Sequence, residues 1–364
     1  MQKDKFLKFL IFFFLVSFFF PYPLYYITSQ QKKSSISYFR IQDLLDETQD
    51  FSLEKRIDAI SQNFLGRRYE SPALGEGEGS YQNLPMHRFD KFDCTTYVET
   101  VIALSNSSNI EDFERHMRQI RYRDGLVGFV TRNHFPSLDW IPNNIRAGYL
   151  KDVTSQVAKA PHNVQIASSS INKKDWYKKV HNSQLDVFLN SKPHEDSIKV
   201  HLPYLSYEKI FLQVDNAYLK NEVRLHKEKL QKDFKALDAH KRAAKEIILR
   251  DDLKELDYFY KRATSKINDT LLSRMPNVSV LNIVRFDPSL SEKIGTLENV
   301  FHQGILIRKD DDLVLRHASS LPGKVIEERF EDALDIYLID PTMRGVNILS
   351  VSAKDEQKIH ARNY

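Results

Sequence analysis

The chain has 364 residues, 41% of them hydrophobic and 28% charged, a balance that excludes a disordered, collagen-like or polytopic membrane protein. Lysine and arginine number 53 against 49 acidic residues, too small a surplus for a nucleic-acid footprint, so no nucleic-acid partner is expected. The single cysteine, Cys94, excludes an intramolecular disulfide and a cysteine-rich zinc site, and leaves a free structural thiol or a nucleophile.

The first residues read as a targeting segment. Lys3, Lys5 and Lys8 precede the apolar run Phe9–Phe20, and Pro21 and Pro23 follow it. A basic start and a short apolar stretch describe an export signal. Twelve residues fall short of the roughly 20 needed to span a bilayer. Extended to Ile27, the run becomes long enough for an uncleaved anchor, so residues 1–29 are expected to be a signal peptide or a signal-anchor. Membrane attachment through residues 9–27 belongs to the second reading. Either way the body faces the periplasm or the outer face of the inner membrane. Residues 30–40 are polar and read as a tether.

Leu44, Leu45, Phe51, Leu53, Ile57, Ile60 and Phe64 repeat at helical spacing, and Ser52 is a capping residue for the second half. Gly75, Gly77 and Gly79 alternate with glutamates in a loop that is no phosphate cradle, since neither a strand nor a helix flanks it closely. After Cys94 the stripe Tyr97, Val98, Val101, Ile102, Leu104 predicts a helix, and Asp112–Tyr122 a second. The stretch from Asn190 to Leu205 is polar and turn-rich. From Tyr207 to Lys266 apolar residues recur every three, four or seven positions without glycine or proline, which predicts one or two long amphipathic helices. Beyond Pro276 the pattern becomes that of strands: Val278–Val284, a hairpin of Gly304–Arg308 and Leu313–Arg316, and Val346–Val351. Helices first and strands afterwards predict an α+β fold.

Cys94 stands at a predicted helix start with Asp93 as N-cap. Free amides and the helix dipole favour a thiolate there, and such sites bring thiols down to about 3.5–7.5. A thiol nucleophile needs a base. His302 precedes one hairpin strand and His317 ends the other, so strand pairing can set their rings side by side, one facing the thiol and the other orienting it. No further ligand accompanies these three residues, so no metal and no cofactor are expected.

The blocks Leu65-Gly66-Arg67-Arg68-Tyr69, Phe92-Asp93-Cys94-Thr95, His302-Gln303-Gly304-Ile305 and His317-Ala318-Ser319 together resemble the NlpC-type branch of papain-like cysteine peptidases. Within it, Phe92–Thr100 (FDCTTYVET), Ile120–Gly125 and Arg132–Asn144 resemble the N-acetylmuramoyl-L-alanine amidase-like subfamily, with Tyr97 in place of phenylalanine. The resemblance covers about 57–154 and 276–351. It implies a papain-like core of N-terminal helices on an antiparallel sheet. Cys94 would be the nucleophile, His302 the base and then acid, His317 the polar third member, and the Cys94 amide an oxyanion donor. Tyr69 matches the tyrosine that precedes the nucleophile and faces substrate. Arg132, His134 and Trp140 form a second cluster suited to a carboxylate and to a sugar or peptide. His134 competes with His302 for the role of base, and the His-x-Gly-Ile context favours His302. Glu99 reads as a packing or supporting group.

The expected layout is therefore a helical half of the catalytic domain at 41–155, a largely helical insertion at 156–275, a strand-rich half at 276–353 and a tail at 354–364. The implied partners are peptidoglycan fragments, and the implied reaction is hydrolysis of the bond between N-acetylmuramic acid, including its 1,6-anhydro form, and L-alanine. The alternatives are cleavage between D-glutamate and the diamino acid, or a non-catalytic wall-binding protein. Oligomeric state is not legible.

Overall fold

A computed structural model describes residues 38–78, 80, 83–180, 197–335 and 340–354. The chain divides into Met1–Ser35 and Ile36–Tyr364, and all described residues belong to the second unit. The expected signal, most of the tether and nearly all of the tail lie outside the described residues. Among those described, no helix is long and apolar enough to cross a membrane.

Two helices open the fold, α1 (Tyr38–Thr48) and α2 (Leu53–Asn63). The break between them comes at Ser52, whose hydroxyl caps α2 by accepting the Lys55 N–H. The end of the expected tether is thus already helix, from Tyr38. The next two helices are α3 (Cys94–Ser105) and α4 (Ile110–Arg121). α3 is buried all along from Thr96, which fits a helix lying between α2, α4 and the sheet.

The sheet has ten strands in the order β2 (Lys91–Phe92), β1 (Arg68–Tyr69), β11 (Lys324–Arg329), β10 (Asp312–Ser319), β9 (Val300–Lys309), β8 (Val278–Arg285), β12 (Met343–Val351), β5 (Ile198–Ser206), β4 (Gln165–Ile171), with β3 (Leu150–Asp152) also on β12. Only β1 and β2 run parallel. The α+β class stands, with strands more widely spread along the chain than the sequence pattern predicts. Ile198–Ser206 lies in the stretch expected to be turns, and Gln165–Ile171 in the stretch expected to be a helical insertion. Both pair into the main sheet.

The alternation along β8 and β9 supplies two cores. Val278, Val280, Val284, Ile305 and Ile307 pack against α2, α3 and α4, whereas Leu281, Ile283 and Leu306 face a second cluster on the other side. The helical part of the expected insertion is the arm α5 (Ala217–Lys235) and α6 (Ala239–Thr264), reached from the small ribbon β6 (Phe211–Gln213) and β7 (Ser265–Ile267). Only Val223 in α5 and Thr264 in α6 are buried, so the arm adds little to either core.

Candidate active site

Helix α3 starts where it does because Asp93 is an extended N-cap. Its Oδ1 accepts the Thr96 N–H at 2.8 Å, and its own N–H donates to Thr96 Oγ1 at 2.9 Å. Such a reciprocal cap contributes about 1 kcal/mol and fixes Cys94 as the first helical residue. The Cys94 sulfur accepts backbone N–H groups from Gln303 and Thr95. The sulfur therefore lies against the strand residue that follows His302.

Burial, reinforced by the Asp93 carboxylate, pushes the Cys94 thiol up to about 12, and the amides on the sulfur only soften this. That reverses the expectation of a lowered value. The helix cap is present, but loss of solvent around the sulfur outweighs it. Alkylation of Cys94 by iodoacetamide should therefore climb with pH and show no plateau below about pH 9, because the thiolate fraction rises only as pH approaches the raised value. A plateau reached by pH 7 would contradict this.

The two histidines meet through the hairpin. β9 and β10 pair antiparallel, with Ile305 opposite Arg316, so His317 follows onto Gly304. A Cβ at Gly304 would lie 2.8 Å from Leu315 and 3.0 Å from the His317 Cβ, so glycine is what lets His317 approach. His302 Nε2 then lies 2.6 Å from His317 Nδ1, and His317 Nε2 lies 2.7 Å from Glu328 Oε1. A carboxylate only accepts, so His317 donates from Nε2. If His317 Nδ1 is the acceptor of this bond, Nε2–H of His302 is the donor, and the free lone pair of His302 is on Nδ1. Burial, with His317 adding a smaller effect, pulls His302 down to about 3, so it rests neutral.

Glu328 escaped the sequence reading. Its strand, Lys324–Arg329, carries adjacent polar residues and little alternation, and its role follows only from pairing. Leu315 lies opposite Glu328 and His317 opposite Ile326, which places carboxylate and imidazole diagonally on one face.

Gln303 ties helix α3, which begins at Cys94, to the sheet. Thr95 Oγ1 donates to Gln303 Oε1 at 2.7 Å, Gln303 Nε2 to Asn282 Oδ1 at 2.7 Å, and Asn282 Nδ2 to Asn347 Oδ1 at 2.8 Å. Asn347 Nδ2 donates in turn to Asp152. This row of amides crosses β9, β8, β12 and β3 inside the core. A fully satisfied buried network of this kind fixes one arrangement of its members.

The four expected substrate-binding residues divide. Tyr69 is half-buried and close enough to Cys94 and Asp93 that burial first, then those two groups, raise its phenol. Arg132, His134 and Trp140 are committed within the chain. Arg132 Nε donates to Glu76 Oε1 at 2.6 Å, and its guanidinium lies over Phe129 at 5.2 Å. His134 Nε2 is 2.7 Å from the Phe129 carbonyl oxygen, and its ring packs against Trp176. Burial first, then Arg132, holds it far below the ordinary histidine value. Trp140 is fully buried, and its Nε1–H donates to Glu99 Oε1 at 3.0 Å. Trp140 offers no face to a sugar, and the carboxylate that Arg132 holds is Glu76. The supporting role expected of Glu99 has a physical form: its other oxygen accepts from Arg121 at 2.9 Å, while Arg121 also donates to the Leu74 carbonyl. This links α3, α4 and the loop before Cys94. Among the described residues, no three His, Cys, Asp or Glu side chains are grouped to hold a metal.

A capped thiol thus packs against an α+β sheet that carries a His–His–Glu chain. The chain belongs to the N-acetylmuramoyl-L-alanine amidase-like family (AmiA-like), whose profile matches residues 59–337. A search of curated proteins finds no match. Among solved structures, a Legionella pneumophila protein is similar at 28% identity and a TM-score of 0.66, over 86% of this chain and 94% of that one. An N-acetylmuramoyl-L-alanine amidase from Bacteroides uniformis shares the fold at 22% identity and a TM-score of 0.51, over 82% and 99%. The family is one of amidase-like hydrolases of peptidoglycan-derived substrates.

Proposed function

We propose that this protein is an exported cysteine amidase that hydrolyses the bond between N-acetylmuramic acid and L-alanine in peptidoglycan fragments. The observation that carries the reading is the set of Cys94, His302, His317 and Glu328: a thiol at a helix N-terminus, against the strand that bears a neutral imidazole oriented by two further groups. The same division, thiol on a helix and imidazole on a sheet, is the papain-like arrangement. The basic start and apolar run of residues 3–20 support export, and with it a substrate outside the cytoplasm.

In this reading His302 Nδ1 takes the proton from Sγ as the sulfur attacks the lactyl carbonyl carbon. The C–S bond forms and the carbonyl electron pair moves to oxygen. The Cys94 backbone N–H would hold that oxyanion, with the Tyr69 hydroxyl facing the substrate. Collapse breaks the C–N bond, and the alanine nitrogen leaves with the proton from His302. Water, deprotonated by His302, then cleaves the thioester to a carboxylic acid and restores the thiol. Thiolate and imidazolium thus appear together, each stabilising the other, rather than at rest.

The test is digestion of an anhydro-muropeptide and of its free stem peptide, read by mass. Release of anhydro-muramic acid with an intact stem peptide is expected. Cleavage of the free peptide between D-glutamate and the diamino acid would replace this reading by the endopeptidase one, and no cleavage of either would favour a binding protein.

A further inference from the structure

The strand that carries His302 is irregular just before it. Ile283 pairs with His302 but Val284 pairs with Val300, so Phe301 is an extra residue in β9. A bulge of this kind redirects a side chain. The Phe301 ring is 42% exposed, and its centroid lies 6.4 Å from that of His302. On it rests the guanidinium of Arg285, the last residue of β8, with Cζ 4.8 Å from the ring centroid.

Arg285 differs from Arg121, Arg132 and Arg316, and also from Arg56 and Arg308, whose guanidinium groups donate to backbone carbonyls. Arg121, Arg132 and Arg316 each donate to a carboxylate at hydrogen-bond distance. The Arg285 side chain forms no hydrogen bond or ion pair among the described residues, and its Nε is enclosed without an acceptor. Burial lowers its proton affinity, while Glu298, Asp287 and Asp340 act on it only from a distance. The strongest of these, Glu298, is itself pushed up to about 7 by burial, so it competes weakly for the guanidinium. A half-buried guanidinium with free donors is costly to keep unless something from outside meets it. Its fork geometry fits a carboxylate.

We propose that Arg285, held flat on Phe301, is a carboxylate-binding subsite beside His302, and that it receives a carboxylate of the substrate's stem peptide. This rests on the amidase reading and deepens it. Extended peptide advances about 3.3–3.6 Å per residue, so the steps from His302 to Phe301 and on to Arg285 correspond to a carboxylate two or three residues from the scissile amide. In a stem that begins with L-alanine, the free α-carboxylate of the second residue, D-glutamate, falls there.

The test compares two muropeptides that differ only in whether that carboxylate is free or amidated. Wild type should prefer the free acid by about 10-fold or more in kcat/KM, the value of one charge-assisted contact. Arg285→Met should lose about 10–100-fold on the free acid, mainly through KM, and bring the two substrates level. Arg285→Lys, which keeps the stem and charge but not the fork, should fall between and covers the case in which the methionine variant does not fold. Unchanged preference in either folded variant, or equal losses on both substrates, overturns the proposal. If wild type cleaves neither muropeptide, the amidase reading fails. The subsite is then read by calorimetry with the free stem tripeptide on Cys94→Ala. Adding Arg285→Lys or Arg285→Met should weaken Kd several-fold to 10-fold, and an unchanged Kd, or no binding of the tripeptide, overturns the subsite.

Discussion

Cys94→Ala and His302→Ala should each lower kcat/KM on the muropeptide by about 10³–10⁵-fold, and the double variant should be little worse than either single one. Alanine at 94 leaves no atom to form the thioester. Alanine at 302 removes the base that the proposed mechanism gives to the Cys94 thiol, and general-base assistance alone is worth about 10²–10⁴. The two act as one unit, so their losses do not add. Neither substitution disturbs the cap that starts α3, since that is made by Asp93 and Thr96. Thermal unfolding of Cys94→Ala should therefore match wild type. The measurement is single-turnover hydrolysis followed by mass. Full retention of hydrolysis in Cys94→Ala would move the chemistry to another group.

The elements read from periodicity are those with one wet face, one cap or one strong turn: α2 with its Ser52 cap, the buried α3 behind its Asp93 cap, α4, the β9–β10 hairpin, the long arm. What escaped has a shared cause. β4 (QIASSSI) lies at the sheet edge with four of its seven residues exposed, so no apolar face had to be written into it. β11 contributes through Glu327 and Glu328, polar residues whose partners are set by register. Cys94 stood out because it opens a helix behind a capping aspartate, and His302 and His317 because the hairpin pattern put them on paired strands. Arg132 and Trp140 misled for the opposite reason. Their side chains suit a ligand in isolation, but Glu76 and Glu99, remote in sequence, supply the partners first. The lowered thiol was a local inference from the helix end, and burial, a property of the whole fold, reversed it.

The largest stability effect should follow Arg316→Ala. Neighbouring residues of β10 and β11 point to opposite faces, so His317 and Glu328 form the site on one side while Arg316 and Glu327 pair on the other, facing α2. The Arg316 side chain is 1% exposed. It donates to Glu327 Oε2 at 2.5 Å, to the carbonyl and Oδ1 of Asp58 at 2.7 Å, and to Ser61 Oγ at 2.8 Å. Lys309 completes the group on Asp58 at 2.6 Å. Removing one member of a buried ion group leaves the others uncompensated and costs about 3–5 kcal/mol, a large fraction of the roughly 5–15 kcal/mol that holds a domain folded. Urea unfolding should show this as a lower midpoint at an unchanged slope. A second readout separates charge from packing. Burial alone would raise the Asp58 carboxyl, but Lys309 and Arg316 overcome it and hold it below the ordinary value. A lowered carboxylate contributes stability that is complete above its unfolded value, near 4, and is lost as pH falls through the folded one. The gap between wild type and Arg316→Ala should therefore be full at pH 7 and shrink below about pH 4. A gap independent of pH would mean that the arginine acts by filling space. Because α2 is fastened to the hairpin one residue from His317, the same variant should also lose activity under conditions where it remains folded.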